Sequence, residues 1–163
     1  MEIWIYELKN SMKKQKSIAL VAHDNRKKDL IEWVRFNKKK LRTHLITCTG
    51  TTGSLVEEEL NKDTLGYQMI VQKMKSGPLG GDQQLGAMIA EGKIDVMVFF
   101  WDPMSAQPHD VDVKALLRLT VLYNVVTASN RATADFVISS HLFDEDYEVK
   151  LKDYSRYIQR DIE

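Results

Sequence analysis

Ser17-Ile18-Ala19-Leu20-Val21-Ala22, followed by His23-Asp24-Asn25, decides how this chain is read. An unbroken apolar run is what a strand covered on both faces needs, whereas a sheet with one wet face alternates apolar and polar residues. The run stops at three polar residues, so the strand ends in a polar loop. From Arg26 to Leu41, the residues Leu30, Trp33, Val34 and Leu41 recur at helical spacing, with Lys27, Lys28, Lys38, Lys39 and Lys40 between them. That spacing predicts an amphipathic helix with a solvated basic face.

The same cycle repeats along the chain. Leu45 to Cys48 reads as a strand, Thr49-Gly50-Thr51-Thr52-Gly53 as a turn and Ser54 to Asn61 as a short helix. A third strand is expected at Gln68 to Gln72, then a helix from Asp82 to Glu91 closed by Gly92, and a strand from Ile94 to Trp101. A helix from Val111 to Tyr123, a fifth strand from Val125 to Ala128 and a helix from Ala132 to Ile138 complete the series. The tail from Tyr147 to Glu163 reads as an edge strand, Tyr147 to Leu151, and a short charged helix. Alternating strands and helices imply an α/β fold: one three-layer domain over 1–163, with a central, mainly parallel five-stranded sheet and helices on both faces. In such sheets ligands bind at the carboxyl ends of the strands, which is where the polar loops fall.

Composition narrows the function. The chain has 163 residues, enough for a proper core, and its 23 Lys+Arg balance 23 Asp+Glu. With no overall field, neither nucleic acid nor a membrane surface is an expected partner, and any anion must be held by a local site. The one cysteine, Cys48, sits in an apolar-flanked stretch and suits a reducing compartment. The apolar runs are too short to span a bilayer, and Met1-Glu2-Ile3-Trp4 lacks the basic-then-apolar start of a leader. The expectation is a soluble, cytoplasmic protein.

Four loops carry candidate chemistry. Thr49 to Gly53 joins a strand to a helix with small and hydroxylic residues, so amides and hydroxyls can cradle a phosphate; the alternative is a tight turn capped by Thr52. The turn matches neither GxxxxGK[ST] nor GxGxxG, so nucleotide binding is unsupported. His23 and Lys27 can share one face of a first helical turn and donate to the same anion, although on this spacing alone a solvated lysine beside a capping histidine is the favoured reading. Ser76-Gly77-Pro78-Leu79-Gly80-Gly81-Asp82 places three glycines and a proline in a row of six before an acid. Such residues weaken regular structure and are kept for close approach, so Asp82 is read as a general base rather than only as a helix cap. The loop from Asp102 to Asp110, stiffened by Pro103 and Pro108, presents His109, a neutral imidazole able to polarise a carbonyl. His23, His109 and the neighbouring acids lack a compact metal-ligand spacing. His44 and His141 are read as structural or surface residues.

Together these segments resemble the methylglyoxal synthase family: Ala19 to Asp24, Thr49 to Gly53, Ser76 to Gln84, Phe99 to Pro103 and Pro108 to Arg118. The resemblance runs from about Lys16 to Tyr157. It implies a lyase that converts dihydroxyacetone phosphate into methylglyoxal and inorganic phosphate, without metal or organic cofactor, in a homohexamer. It also implies phosphate as a possible allosteric inhibitor. By motif, Asp82 is the acid/base residue and His109 the group at the carbonyl oxygen. His23, Lys27, Thr49, Gly50, Thr51, Thr52, Ser76 and Gly77 would line the substrate, mainly at its phosphate, with Asp102 and Asp112 in support. Two departures stand out: Val126 where the family commonly has proline, and the charged stretch from Glu57 to Lys75.

Overall fold

The computed structural model describes residues 11–106 and 108–158. The first four residues used for the leader reading, Gln107 in the loop before His109, and the tail after 158 lie outside the described residues.

Strands β1 (Ser11–Met12), β2 (Ser17–Ala22), β3 (Leu45–Thr49), β4 (Gln72–Met74), β5 (Val96–Phe100), β6 (Val126–Ala128) and β7 (Tyr147–Glu148) alternate, from β2 onward, with helices over most of the chain. The helices are α1 (Lys27–Leu41), α2 (Thr52–Asn61), α3 (Gly81–Ala90), α4 (Asp110–Leu122), α5 (Arg131–Ser139) and α6 (Ser155–Ile158). The main sheet runs β4-β3-β2-β5-β6 and every pairing in it is parallel. The sequence reading of a five-stranded parallel sheet therefore holds.

The unbroken apolar strands are explained by cover on both faces. Ile18, Leu20, Ala22, Val96, Val98 and Phe100 join one core with Leu30, Trp33 and Val34 of α1, Val56 and Leu60 of α2, and Ala134 and Ile138 of α5. Their neighbours Ala19, Val21, Met97 and Phe99 form the opposite core with Leu85 and Ile89 of α3 and Val113 and Leu116 of α4. Side chains alternate across a strand, so one apolar run feeds both cores. Trp33 is 1% exposed and donates from Nε1 to Asp135 Oδ1 at 2.9 Å, which ties α1 to α5.

Two expectations are corrected. The third strand lies at Gln72–Met74, pairing with Thr47–Thr49, and not at Gln68 to Gln72. Met69 and Val71 are buried as alternation implied, but α2 side chains take their backbone groups. Asn61 accepts from the Met69 amide at 2.7 Å and donates to its carbonyl at 2.8 Å, and Glu57 accepts from the Val71 amide at 2.8 Å. The tail strand is only Tyr147–Glu148 and pairs antiparallel with Ser11–Met12 in a separate ribbon; beyond it the Lys150 carbonyl accepts from Asn124 Nδ2 at 3.0 Å. Val126 opens the edge strand β6 opposite Val96, a position that proline could occupy only at an edge.

Candidate active site

β2 lies between β3 and β5, so the chain winds outward from it in both directions and a crevice forms at its carboxyl end. A cavity of about 420 Å³ opens there. The loop after β2 supplies His23 and Asp24, and the first residue of α1 is Lys27; the β3 end and the start of α2 supply Thr49, Gly50, Thr51 and Thr52. Ser76, Gly77, Pro78 and Asp82 come from the glycine-rich loop and α3, Phe99 from β5, and His109 from the start of α4. All the residues expected at the substrate or in acid/base work thus line one space. Two other cavities, about 360 and 530 Å³, contain no carboxylate and histidine together.

Asp82 stands in the first turn of α3, where the cap residue is Gly80, so its carboxylate is not spent on capping. It is 5% exposed, and Oδ2 has no hydrogen-bond partner among the described residues. His109 Nε2 lies 3.6 Å from Oδ2, near enough for electrostatic coupling and too far for a hydrogen bond. Burial raises the Asp82 carboxyl above its usual range; His109 opposes that and Asp112 adds to it. A buried carboxylate without partners is costly to keep for stability alone, and such groups cluster where a proton must be taken.

Glycines allow the loop to come this close. A Cβ on Gly81 would stand 2.0 Å from the Lys75 carbonyl oxygen, a backbone clash that cannot relax. A Cβ on Gly77 would stand 2.8 Å from His109 Nε2 and 3.1 Å from Asp82 Oδ2. The loop is held shut by the Ser76 carbonyl, which accepts from the Leu79 amide at 3.0 Å and the Gly81 amide at 2.9 Å. Gln84 Oε1 accepts from the Lys75 amide at 2.8 Å at its entrance.

His23 follows β2 and is 7% exposed. Its ring meets Phe99 edge-on at 5.1 Å and His109 at 6.0 Å between centroids. Burial, reinforced by His109, lowers its pKa below the usual imidazole range. Lys27 Nζ lies 2.5 Å from Thr51 Oγ1 and 2.6 Å from Asp24 Oδ1, so the ammonium already sits over the turn at the start of α2. Buried Thr49 and Thr52 flank that turn. A cation, hydroxyls and a helix start gathered together are suited to an anion.

Asp102 and Asp112 do not line the cavity. Asp102 instead accepts from Asn25 Nδ2 at 2.9 Å and the Met104 amide at 3.0 Å, bonds that lower its pKa. Asp112 acts on Asp82 only through its charge. Sequence reasoning gave no role to Asn25 or Phe99 and did not pair Asp24 with Lys27. The i, i+3 spacing of Asp24 and Lys27 was the available signal for that ion pair. Among the described residues no group of three His, Cys, Asp or Glu side chains is arranged to hold a metal, and no helix is long and apolar enough to cross a membrane.

The MGS-like domain family matches residues 29–129. The methylglyoxal synthase of Maridesulfovibrio salexigens is 59% identical, over 91% of this chain and 99% of that protein. That of Pectobacterium atrosepticum is 54% identical, over 89% and 91%. The crystal structure of methylglyoxal synthase from Elizabethkingia anophelis NUHP1 superposes with a TM-score of 0.84 at 49% identity, covering 94% of this chain and 96% of that one. With its parallel sheet, its crevice and relatives this close over nearly their whole length, the chain belongs to the methylglyoxal synthase family.

Proposed function

We propose that the protein converts dihydroxyacetone phosphate into methylglyoxal and inorganic phosphate, with Asp82 as the acid/base residue. The observation that carries this reading is a buried, unpartnered carboxylate 3.6 Å from an imidazole, in a cavity that Lys27 and the threonine turn also line.

Asp82 takes a proton from the hydroxymethyl carbon beside the carbonyl, and the electron pair moves onto the carbonyl oxygen. His109 donates a hydrogen bond to that oxygen as it gains charge, giving an enediolate. The hydroxyl on the deprotonated carbon then loses its proton and becomes an aldehyde. The double bond shifts toward the phosphate-bearing carbon, and the C–O bond to phosphate breaks with its electron pair. The resulting enolate takes a proton on its methylene carbon, returned by Asp82, and becomes methylglyoxal, while the hydroxyl proton leaves with the phosphate. Elimination requires the breaking C–O bond to lie parallel to the π orbitals, so Lys27, His23 and the turn from Thr49 to Thr52 hold the phosphate out of the molecular plane. The same donors, with Ser76 and Gly77, stabilise the charge on the leaving phosphate.

In this reading residues 1–163 form one domain, the working assembly is a homohexamer in the cytoplasm, and released phosphate is a candidate allosteric inhibitor of a glycolytic bypass. Asp102 and Asp112 support the site without touching substrate. The test is the time course of both products from purified protein and dihydroxyacetone phosphate, with and without chelator. Equimolar methylglyoxal and phosphate, unaffected by chelator, is the expected result; formation of glyceraldehyde 3-phosphate without phosphate release would replace the lyase reading with an isomerase.

A further inference from the structure

We propose that Asn25 is a positioning residue that sets the tautomer of His23, so that Nε2 is the proton-bearing nitrogen of the neutral ring. The functional consequence rests on the reading of this cavity as the substrate site; the tautomer itself does not.

The chain of contacts is short. Asn25 lies in the single 3-10 turn Asp24–Arg26 between β2 and α1 and donates from Nδ2 to Asp102 Oδ2 at 2.9 Å. The Met104 amide donates to Asp102 Oδ1 at 3.0 Å, so both carboxylate oxygens are held. Asp102 follows β5, and its own amide donates to His23 Nδ1 at 3.2 Å. A backbone N–H can only donate, so Nδ1 must present a lone pair and the proton of the neutral imidazole must sit on Nε2. His23 is also fixed at its backbone: its amide donates to the Phe100 carbonyl at 3.3 Å, and its carbonyl accepts from the Arg26 amide at 2.8 Å.

Nε2 is buried and has no partner among the described residues, although the ring lines the cavity. It is a donor kept for something the protein does not supply, and an oxygen of a phosphorylated substrate fits it. Asp82 and His109 face His23 from α3 and α4, Asp102 from the β5 loop and Asp24 from its own loop. Burial and the neighbouring His109 oppose the imidazolium form, while Asp102 and Asp82 favour it. Asn25 suits its place because a neutral carboxamide donates to Asp102 without bringing a second charge.

The test is the histidine side-chain 1H–15N spectrum of the labelled full chain at neutral pH, for wild type, Asn25→Ala and Asn25→Asp, beside steady-state kinetics. Wild-type His23 should show the Nε2–H tautomer. Asn25→Ala should show a mixed or averaged ring and a loss of about tenfold in kcat/KM, as for other residues that orient a site group through one hydrogen bond. Asn25→Asp should lose more at neutral pH and recover on acidification, as one carboxylate of the new pair takes a proton. A wild-type His23 protonated at Nδ1 would overturn the tautomer assignment. An unchanged His23 spectrum in Asn25→Ala would overturn the positioning role, whatever the kinetics show. If the wild type formed no methylglyoxal, the function reading would fail while the spectra still decided the tautomer, and the wild-type spectrum decides it even where a variant does not fold.

Discussion

Asp82 Oδ2 and His109 Nε2 lie 3.6 Å apart in the lining of the cavity, with the Gly77 backbone packed against both. The two groups come from the first turn of α3 and the residue that caps α4, and their spacing is maintained by a loop that has no room for a side chain. That spacing leaves each group free to act on a substrate atom rather than on the other.

Gly77→Ala should therefore disable the enzyme while leaving it folded. The added Cβ would stand 2.8 Å from His109 Nε2 and must displace that ring or the carboxylate. A shift of about 1 Å in a reacting group costs on the order of 100-fold in turnover. Circular dichroism and the thermal midpoint should stay near wild type, and kcat should fall.

The pH dependence follows from the raised Asp82 pKa. As a base it works only when ionised, so the acid limb of kcat/KM should lie above the usual carboxylate range and vanish in Asp82→Asn. Stability should move oppositely. A carboxyl whose pKa is higher folded than unfolded binds its proton more tightly in the native state, so ionisation at neutral pH costs stability. Asp82→Asn should melt higher than wild type at neutral pH, and the gap should close as pH falls below the ordinary carboxylate value. A variant less stable at neutral pH would contradict the burial-driven shift.

Lys27→Met removes the ammonium over the Thr51 hydroxyl and leaves Asp24 facing the site uncompensated. Phosphate binding should weaken, with KM for dihydroxyacetone phosphate rising about tenfold or more as one charge-assisted bond is lost. Isothermal titration with inorganic phosphate measures the same loss independently of turnover.

Trp33→Ala tests the scaffold instead. The side chain is 1% exposed between α1 and the sheet, and its indole N–H is bonded to Asp135. Truncation should cost about 3–5 kcal/mol in urea unfolding, through the cavity it leaves.

The sequence carried the sheet because its strands are buried on both faces and show unbroken apolar runs at Ile18 to Ala22 and Val96 to Phe100. The site was legible for a related reason: Gly77, Gly80 and Gly81 make no sense as helix or strand residues, which marked the loop before Asp82. Helix periodicity also located α1 through Leu30, Trp33 and Val34. What failed was β4, where Met69 and Val71 alternate as strand residues do but give their amides to Asn61 and Glu57, a tertiary competition no local pattern displays. The contact of Asp102 was likewise not legible: its motif placed it near the reaction, but no local pattern displays the bond to Asn25, 77 residues away in sequence.

The central claim is that Asp82 takes the proton that starts phosphate elimination. The most direct test is single-turnover release of phosphate from dihydroxyacetone phosphate by wild type and Asp82→Asn, with inorganic phosphate affinity measured on both. Turnover lost by about 10⁴-fold in the variant, with phosphate affinity within about threefold, is the predicted result, since the isosteric amide removes the base and little else. Near-native phosphate release from Asp82→Asn would contradict the assignment and move the base to another residue of the cavity.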